Sequence, residues 1–238
     1  MNLNLPQLST IRIQCNEDIG TAVIYFPDAD TDYVYILTAK HCLVGEDFDK
    51  TYSKEGILLD KIFNDESLTY HSYVLSDTAV VITSVSNEED LALIIVPAND
   101  IVALTGKRFF SQVIDADDTI QEYKVRGFAN FNDQKDDQPF SLKFLENKKH
   151  NPNIFTLHHD GSLDTFYQQA MSNVAGLSGS GAYADLFGNL YFVGIIHTYV
   201  DGNTFIATKV LAYNNLIDPN KFKLIKDLKP ETNPEILD

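Results

Sequence analysis

Gly176-Leu177-Ser178-Gly179-Ser180-Gly181 seats a serine between glycines, and an apolar run from Leu190 to Ile196 follows closely behind it. Glycine permits a sharp turn and leaves backbone N–H groups free to face a ligand. A serine at such a turn can be a nucleophile whose oxyanion is received by its own backbone. The same letters also fit a Gly/Ser surface loop between two strands. Two upstream stretches bear on the choice. The apolar run that starts at Ile36 ends on His41, and another apolar run, Leu91 to Val96, is opened by Asp90. An attacking serine needs a base to take its proton and a carboxylate to orient that base. The chain supplies them in the order His41, Asp90, Ser178, one of three orders in which this chemistry is known.

On these residues, namely Thr38-Ala39-Lys40-His41-Cys42, Asp90-Leu91-Ala92-Leu93 and Gly176 to Ser180, the sequence resembles the trypsin-like (chymotrypsin-fold) serine peptidases. Their corresponding motifs are T-A-x-H-C, D-[IL]-A-L and G-[DN]-S-G-[GS]. The resemblance implies an all-β chain of two six-stranded antiparallel Greek-key barrels with a short C-terminal helix. The N-terminal barrel would span about residues 1–100 and carry His41 and Asp90. After a crossing stretch to about Lys107, the C-terminal barrel would span about 108–210 and carry Ser178. Residues 211–238 would form the terminal helix and a polar tail. A length of 238 residues suits a single domain of this kind.

The strand pattern agrees with an all-β reading. Ile11–Cys15, Thr21–Phe26, Tyr33–Leu37, Gly56–Leu59, Tyr73–Leu75 and Ala79–Thr83 are rich in β-branched and aromatic residues and separated by polar turns. Phe109–Phe110, Gln112–Ile114, Glu122–Gly127, Phe140–Leu145 and Thr204–Val210 continue the series, and Leu211–Ile217 is the expected helix. Residues Pro97 to Asp100 read as the end of the first barrel, with 147–152 and 158–161 as loops.

The resemblance assigns roles as follows. Ser178 attacks, His41 is general base and then general acid, Asp90 orients His41, and the N–H groups of Gly176 and Ser178 form the oxyanion hole. Ser180 is an alternative nucleophile without the G-x-S-G frame. Glu88 and Glu89 are alternatives to Asp90, but only Asp90 directly precedes the apolar run. Ser172, six places before Ser178, would lie at the base of the primary specificity pocket and bind substrate. It is neither Asp nor Glu, so a preference for Lys or Arg is not expected. His197 follows Gly194-Ile195-Ile196. Related enzymes use a histidine after Gly-Ile to receive acidic or Gln side chains. Here it comes one residue later, which reverses its face. His197 is therefore a candidate substrate-binding residue, or else a neighbour of Asp90. Leu177 replaces the aspartate that pairs with a newly released amino terminus in digestive members, so zymogen activation of that kind is not expected.

No cofactor and no metal are expected. The pair His158-His159 beside Asp160 suggests zinc, but no third spaced ligand accompanies it. Cys15 and Cys42 are the chain's two cysteines. Cys15 lies too early for the family's bridge to the cysteine after the histidine, so two free thiols in a reducing cytoplasm are expected. The first residues lack a basic stretch followed by an apolar one, which also fits a cytoplasmic setting. A net charge of −16 argues against nucleic acid or anionic membrane as partners and leaves a protein or peptide substrate. The intracellular setting and the G-[LFM]-S-G-S-G form look similar to trypsin-like proteins of bacterial anti-phage defence, which act on a dedicated partner once an activating partner or trigger is present. The competing expectation is a silent peptidase-fold module that binds a peptide without cutting it, and a structural subunit is a third.

Overall fold

The computed structural model describes residues 4–116, 119–120, 122–129, 138–159, 176–186, 188–200 and 203–228. Its first sheet is built from β1 (Thr10–Cys15), β2 (Asp18–Tyr25), β3 (Tyr33–Ala39), β4 (Ile57–Phe63), β5 (Tyr70–Val74), β6 (Val80–Thr83) and β7 (Leu91–Pro97). Their order is β5-β4-β1-β2-β3-β7-β6, and every pairing is antiparallel. The second sheet contains β8 (Gln112–Val113), β9 (Glu122–Gly127), β10 (Gln138–Asn147), β11 (Ile154–His158), β12 (Gly181–Leu186), β13 (Asn189–Tyr199) and β14 (Thr204–Lys209). Six of these form a ring, β12-β9-β10-β11-β14-β13, closed by pairing of β12 with β13. The seventh, β8, runs parallel to β13 at its outer edge.

The expected all-β, two-barrel class is what the chain adopts, with seven strands in each sheet. Strands in sequence order fill the first sheet up to Pro97 and the second from Gln112 onward. Several elements depart from the sequence reading, which names no strand at β11 or β12. Residues 97–105, where the sequence suggests a turn and a crossing stretch, contain a helix, α3 (Ala98–Thr105), which ends at Gly106 with φ 80°. A short α1 (Leu5–Ser9) precedes β1 and is capped by the Asn4 side chain accepting from Gln7 N–H. The terminal helix is a 3₁₀ helix, Val210–Leu216.

Burial follows the two-residue period of strands. In β2, β3 and β7, the residues Ala22, Ile24, Val34, Ile36, Ala92, Ile94 and Val96 face the first barrel's core. Their alternates Val23, Tyr25, Tyr35, Leu37, Leu91, Leu93 and Ile95 pack with Tyr183, Phe192, Ile195, Val210 and Tyr213 of the second half. These strands thus bury both faces, one inside a barrel and one between barrels. That is why they read as continuous apolar runs rather than alternating ones. The second barrel closes over its own core of Tyr123, Val125, Leu142, Phe155, Leu157, Ala182, Ala184, Val193 and Phe205. The ends of β3, β7 and β13 meet at the seam between the two.

Candidate active site

His41 is the first residue of α2 (His41–Val44), a single turn that begins where β3 ends. Asp90 stands immediately before β7, the neighbour of β3 in the sheet. The pairing of Ala39 with Leu91 therefore brings His41 and Asp90 together across one strand gap. Backbone and side chain both use the proximity. Lys40 N–H donates to the Asp90 carbonyl at 2.9 Å, and His41 N–H donates to Asp90 Oδ1 at 2.9 Å. His41 Nδ1 lies 2.6 Å from Asp90 Oδ2. Both side chains are buried, Asp90 at 3% and His41 at 6% exposure.

Asp90 adopts φ 51°, a left-handed conformation that Asp tolerates better than most residues. The turn that holds it there is tied down from several directions. Lys40 Nζ donates to the Ser84 carbonyl and to Asn87 Oδ1. From the second barrel, Thr208 Oγ1 donates to the Glu89 carbonyl at 2.8 Å and Asn153 Nδ2 to Glu89 Oε1 at 2.8 Å. Glu88, facing His150 at 3.2 Å, is exposed. Of the three neighbouring acids, only Asp90 points at His41.

Burial alone would lower the His41 pKa. The Asp90 hydrogen bond and charge, with Glu46 and Asp18 beyond, outweigh it and leave the imidazole raised above its ordinary value. An imidazole whose Nδ1–H is held by a buried carboxylate presents Nε2 to accept a proton and is stabilised once it has done so.

Ser178 sits on the turn before β12. Gly176 and Gly179 there adopt φ 92° and 89°. Gly179 could not be otherwise, since a Cβ at that position would lie 1.7 Å from the Thr21 carbonyl oxygen. The turn is docked on both barrels. Gly179 N–H donates to the Ile196 carbonyl and Thr21 N–H to the Ser178 carbonyl, each at 2.7 Å. The Cys42 thiol faces that same carbonyl at 3.5 Å. Thr21 Oγ1 donates to the Gly176 carbonyl at 2.6 Å and accepts from Phe128 N–H at 3.0 Å. Ser178 thus comes to the stretch that carries His41, while its hydroxyl hydrogen-bonds the His197 carbonyl at 3.3 Å and not His41.

His197 occupies the Asp90 side of the site. Its Nδ1 is 3.6 Å from Asp90 Oδ2 and 2.9 Å from Thr198 Oγ1. Its Nε2 is buried without a hydrogen-bond partner among the described residues. Burial, against the opposing pull of Asp90, lowers its pKa to about 4. Ser180 is fully buried and its hydroxyl has no hydrogen-bond partner among the described residues. Cys15 and Cys42 are free and buried, and burial raises the pKa of both thiols. Ser172 and Asp160 lie outside the described residues. Among the described residues no cluster of three metal-ligating side chains occurs.

Sequence reasoning missed Thr21, which joins the Ser178 turn to β9, and Glu46, whose Oε1 is 3.6 Å from His41 Nε2. Neither belongs to a spaced motif, so only their position in the fold reveals them.

No protein-family model matches the chain, and a comparison with curated proteins finds no match. Among solved structures, a thermostable serine protease, AL20, from an extremophilic microorganism superimposes with a TM-score of 0.58 at 13% identity, over 86% of this chain and 91% of that one. At that identity the likeness establishes the architecture: the chain has the chymotrypsin-like two-barrel fold.

Proposed function

We propose that the chain is a serine endopeptidase that cleaves peptide bonds through an acyl-enzyme, with His41, Asp90 and Ser178 as its triad. The observation that carries this reading is the buried His41–Asp90 pair, 2.6 Å apart, with the Ser178 carbonyl held by Thr21 N–H of β2 and faced by the thiol of Cys42, the residue after His41. Ser178 Oγ attacks the scissile carbonyl while His41 Nε2 takes its proton. Asp90 stabilises the imidazolium, and the N–H groups of Gly176 and Ser178 receive the oxyanion. His41 then returns the proton to the leaving amine, and water releases the acyl group by the same steps. Residues 1–238 act as one peptidase domain in this reading. Ser172 forms the pocket base, and the substrate is a dedicated protein. The two buried free thiols support a reducing, cytoplasmic setting, and the motif resemblance supports a role in bacterial defence with an activating partner.

A second reading, a binding module, is favoured by one observation: the Ser178 hydroxyl is engaged by the His197 carbonyl. Labelling with a fluorophosphonate probe separates the two. On the peptidase reading the purified chain labels, alone or after addition of candidate partners, and Ser178→Ala does not. No labelling under any of these conditions would favour the binding module.

A further inference from the structure

Asp90 is not the only carboxylate at His41. The α2 turn ends at Gly45, whose N–H donates to the His41 carbonyl at 2.8 Å and whose φ is 77°. The chain then doubles back, with Phe48 N–H donating to the Gly45 carbonyl and Lys50 N–H to that of Val44. The Phe48 ring meets the His41 ring edge-on, centroids 6.5 Å apart, and Lys40 Nζ lies over Phe48. This reversal brings Glu46 Oε1 to 3.6 Å from His41 Nε2. The nitrogen that must accept the serine proton thus faces a carboxylate, while the serine hydroxyl is turned to a backbone carbonyl.

We propose that Glu46 is a latch on the general base, holding His41 Nε2 away from Ser178 until substrate or a partner displaces it. The inference rests on the peptidase reading above. Asp90 at Nδ1 and Glu46 at Nε2 both favour the doubly protonated ring, and an imidazolium has no lone pair with which to activate the serine. The other groups around the ring do not do this. Asp90 and His197 lie on the Nδ1 side. Asp18, at the start of β2, is paired with Lys50 at 2.8 Å. Cys42 stays a thiol. Glu46 is also the removable member, since its side chain is 87% exposed. An ion pair whose carboxylate is this exposed is weak enough for a substrate chain lying across His41 to break it.

The test compares the native chain with Glu46→Gln by two readouts. In a Ser178→Ala background, the His41 ring is titrated by NMR. Glu46→Gln lowers its midpoint by roughly 0.2–0.7 pH units, and the difference shrinks at high salt. With Ser178 intact, Glu46→Gln labels with fluorophosphonate about two- to fivefold faster at neutral pH. Equal labelling rates or an unmoved midpoint overturn the latch. Absence of labelling in both forms counts instead against the peptidase reading, and the His41 midpoint still decides whether Glu46 holds the imidazole.

Discussion

Two histidines lie against one carboxylate at this site, and their surroundings push them in opposite directions. His41 has a charged partner at each ring nitrogen and is raised. His197 is equally buried, but its Nε2 has no hydrogen-bond partner among the described residues, and burial lowers its pKa to about 4. Both effects enter stability through the same linkage with opposite sign. The unfolded chain protonates His197 near 6.5, whereas the folded chain resists protonation until about 4. Its contribution is therefore fully present above the unfolded value and is lost as pH falls from about 6.5 toward 4. The two values differ by enough for an effect of about 3 kcal/mol. His41 contributes stability that is present below its unfolded value and lost as pH rises through its raised folded value. Urea unfolding of the native chain and of a His197 variant at pH 7 and pH 4.5 separates the first from the second. We expect His197→Phe to narrow the stability difference between the two pH values relative to the native chain. An equal difference in both proteins would show that His197 does not remain neutral in the fold.

Among the elements, those legible in the sequence are the ones whose side chains all do one job. β3 and β7 read as strands because both of their faces are buried. The ends of the same strands carry His41 and Asp90, so the motif and the element reinforced each other. α3 was missed because Pro97-Ala98-Asn99-Asp100 has turn composition and no side chain caps the helix. Its signal was Gly106 at the αL position behind it. β11 carries no clear strand signal because it is only five residues long and Thr156 and His158 break its apolar run. What no sequence pattern shows is how β14 and the β10–β11 turn hold the residues ahead of β7. Thr208 Oγ1 reaches the Glu89 carbonyl, one residue before Asp90, and Thr208 is itself fully buried. Thr208→Val keeps the shape and removes that bond, at a cost of about 1 kcal/mol. If this contact helps hold Asp90 at its positive φ, the His41 ring in Thr208→Val titrates closer to the ordinary histidine value. A His41 titration identical to the native one would mean that Lys40 and Asn153 suffice.

At the scale of the whole molecule, the site belongs to neither barrel. Asp90 and His41 come from the first, the Ser178 turn from the second, and their alignment depends on how the two halves are joined. The apolar seam of Tyr35, Leu37, Leu93, Tyr183, Phe192 and Tyr213 supplies adhesion, but apolar contact is non-directional and does not set register. Hydrogen bonds are directional, and beside the Ser178 turn Thr21 makes several of them. Its N–H binds the Ser178 carbonyl, and its carbonyl accepts from Thr38 Oγ1. Its hydroxyl joins Gly176 of the serine turn to Phe128 after β9. Thr21→Val keeps the size and the strand propensity but strands a buried carbonyl and a buried N–H. Each costs about 1–3 kcal/mol, which for a chain of this length lowers Tm by on the order of 10 °C. Because Gly176 is a proposed oxyanion donor, the fluorophosphonate labelling rate should fall with it, measured well below the new Tm. The control is Leu59→Ala, in the core of the first barrel and away from the seam. Loss of that side chain costs about 2–5 kcal/mol yet should leave the labelling rate of the folded protein unchanged. If the two variants lose Tm and labelling in the same proportion, activity follows overall stability and Thr21 has no special part in aligning the halves. If only Thr21→Val loses labelling while both lose Tm, the junction sets the geometry of the site.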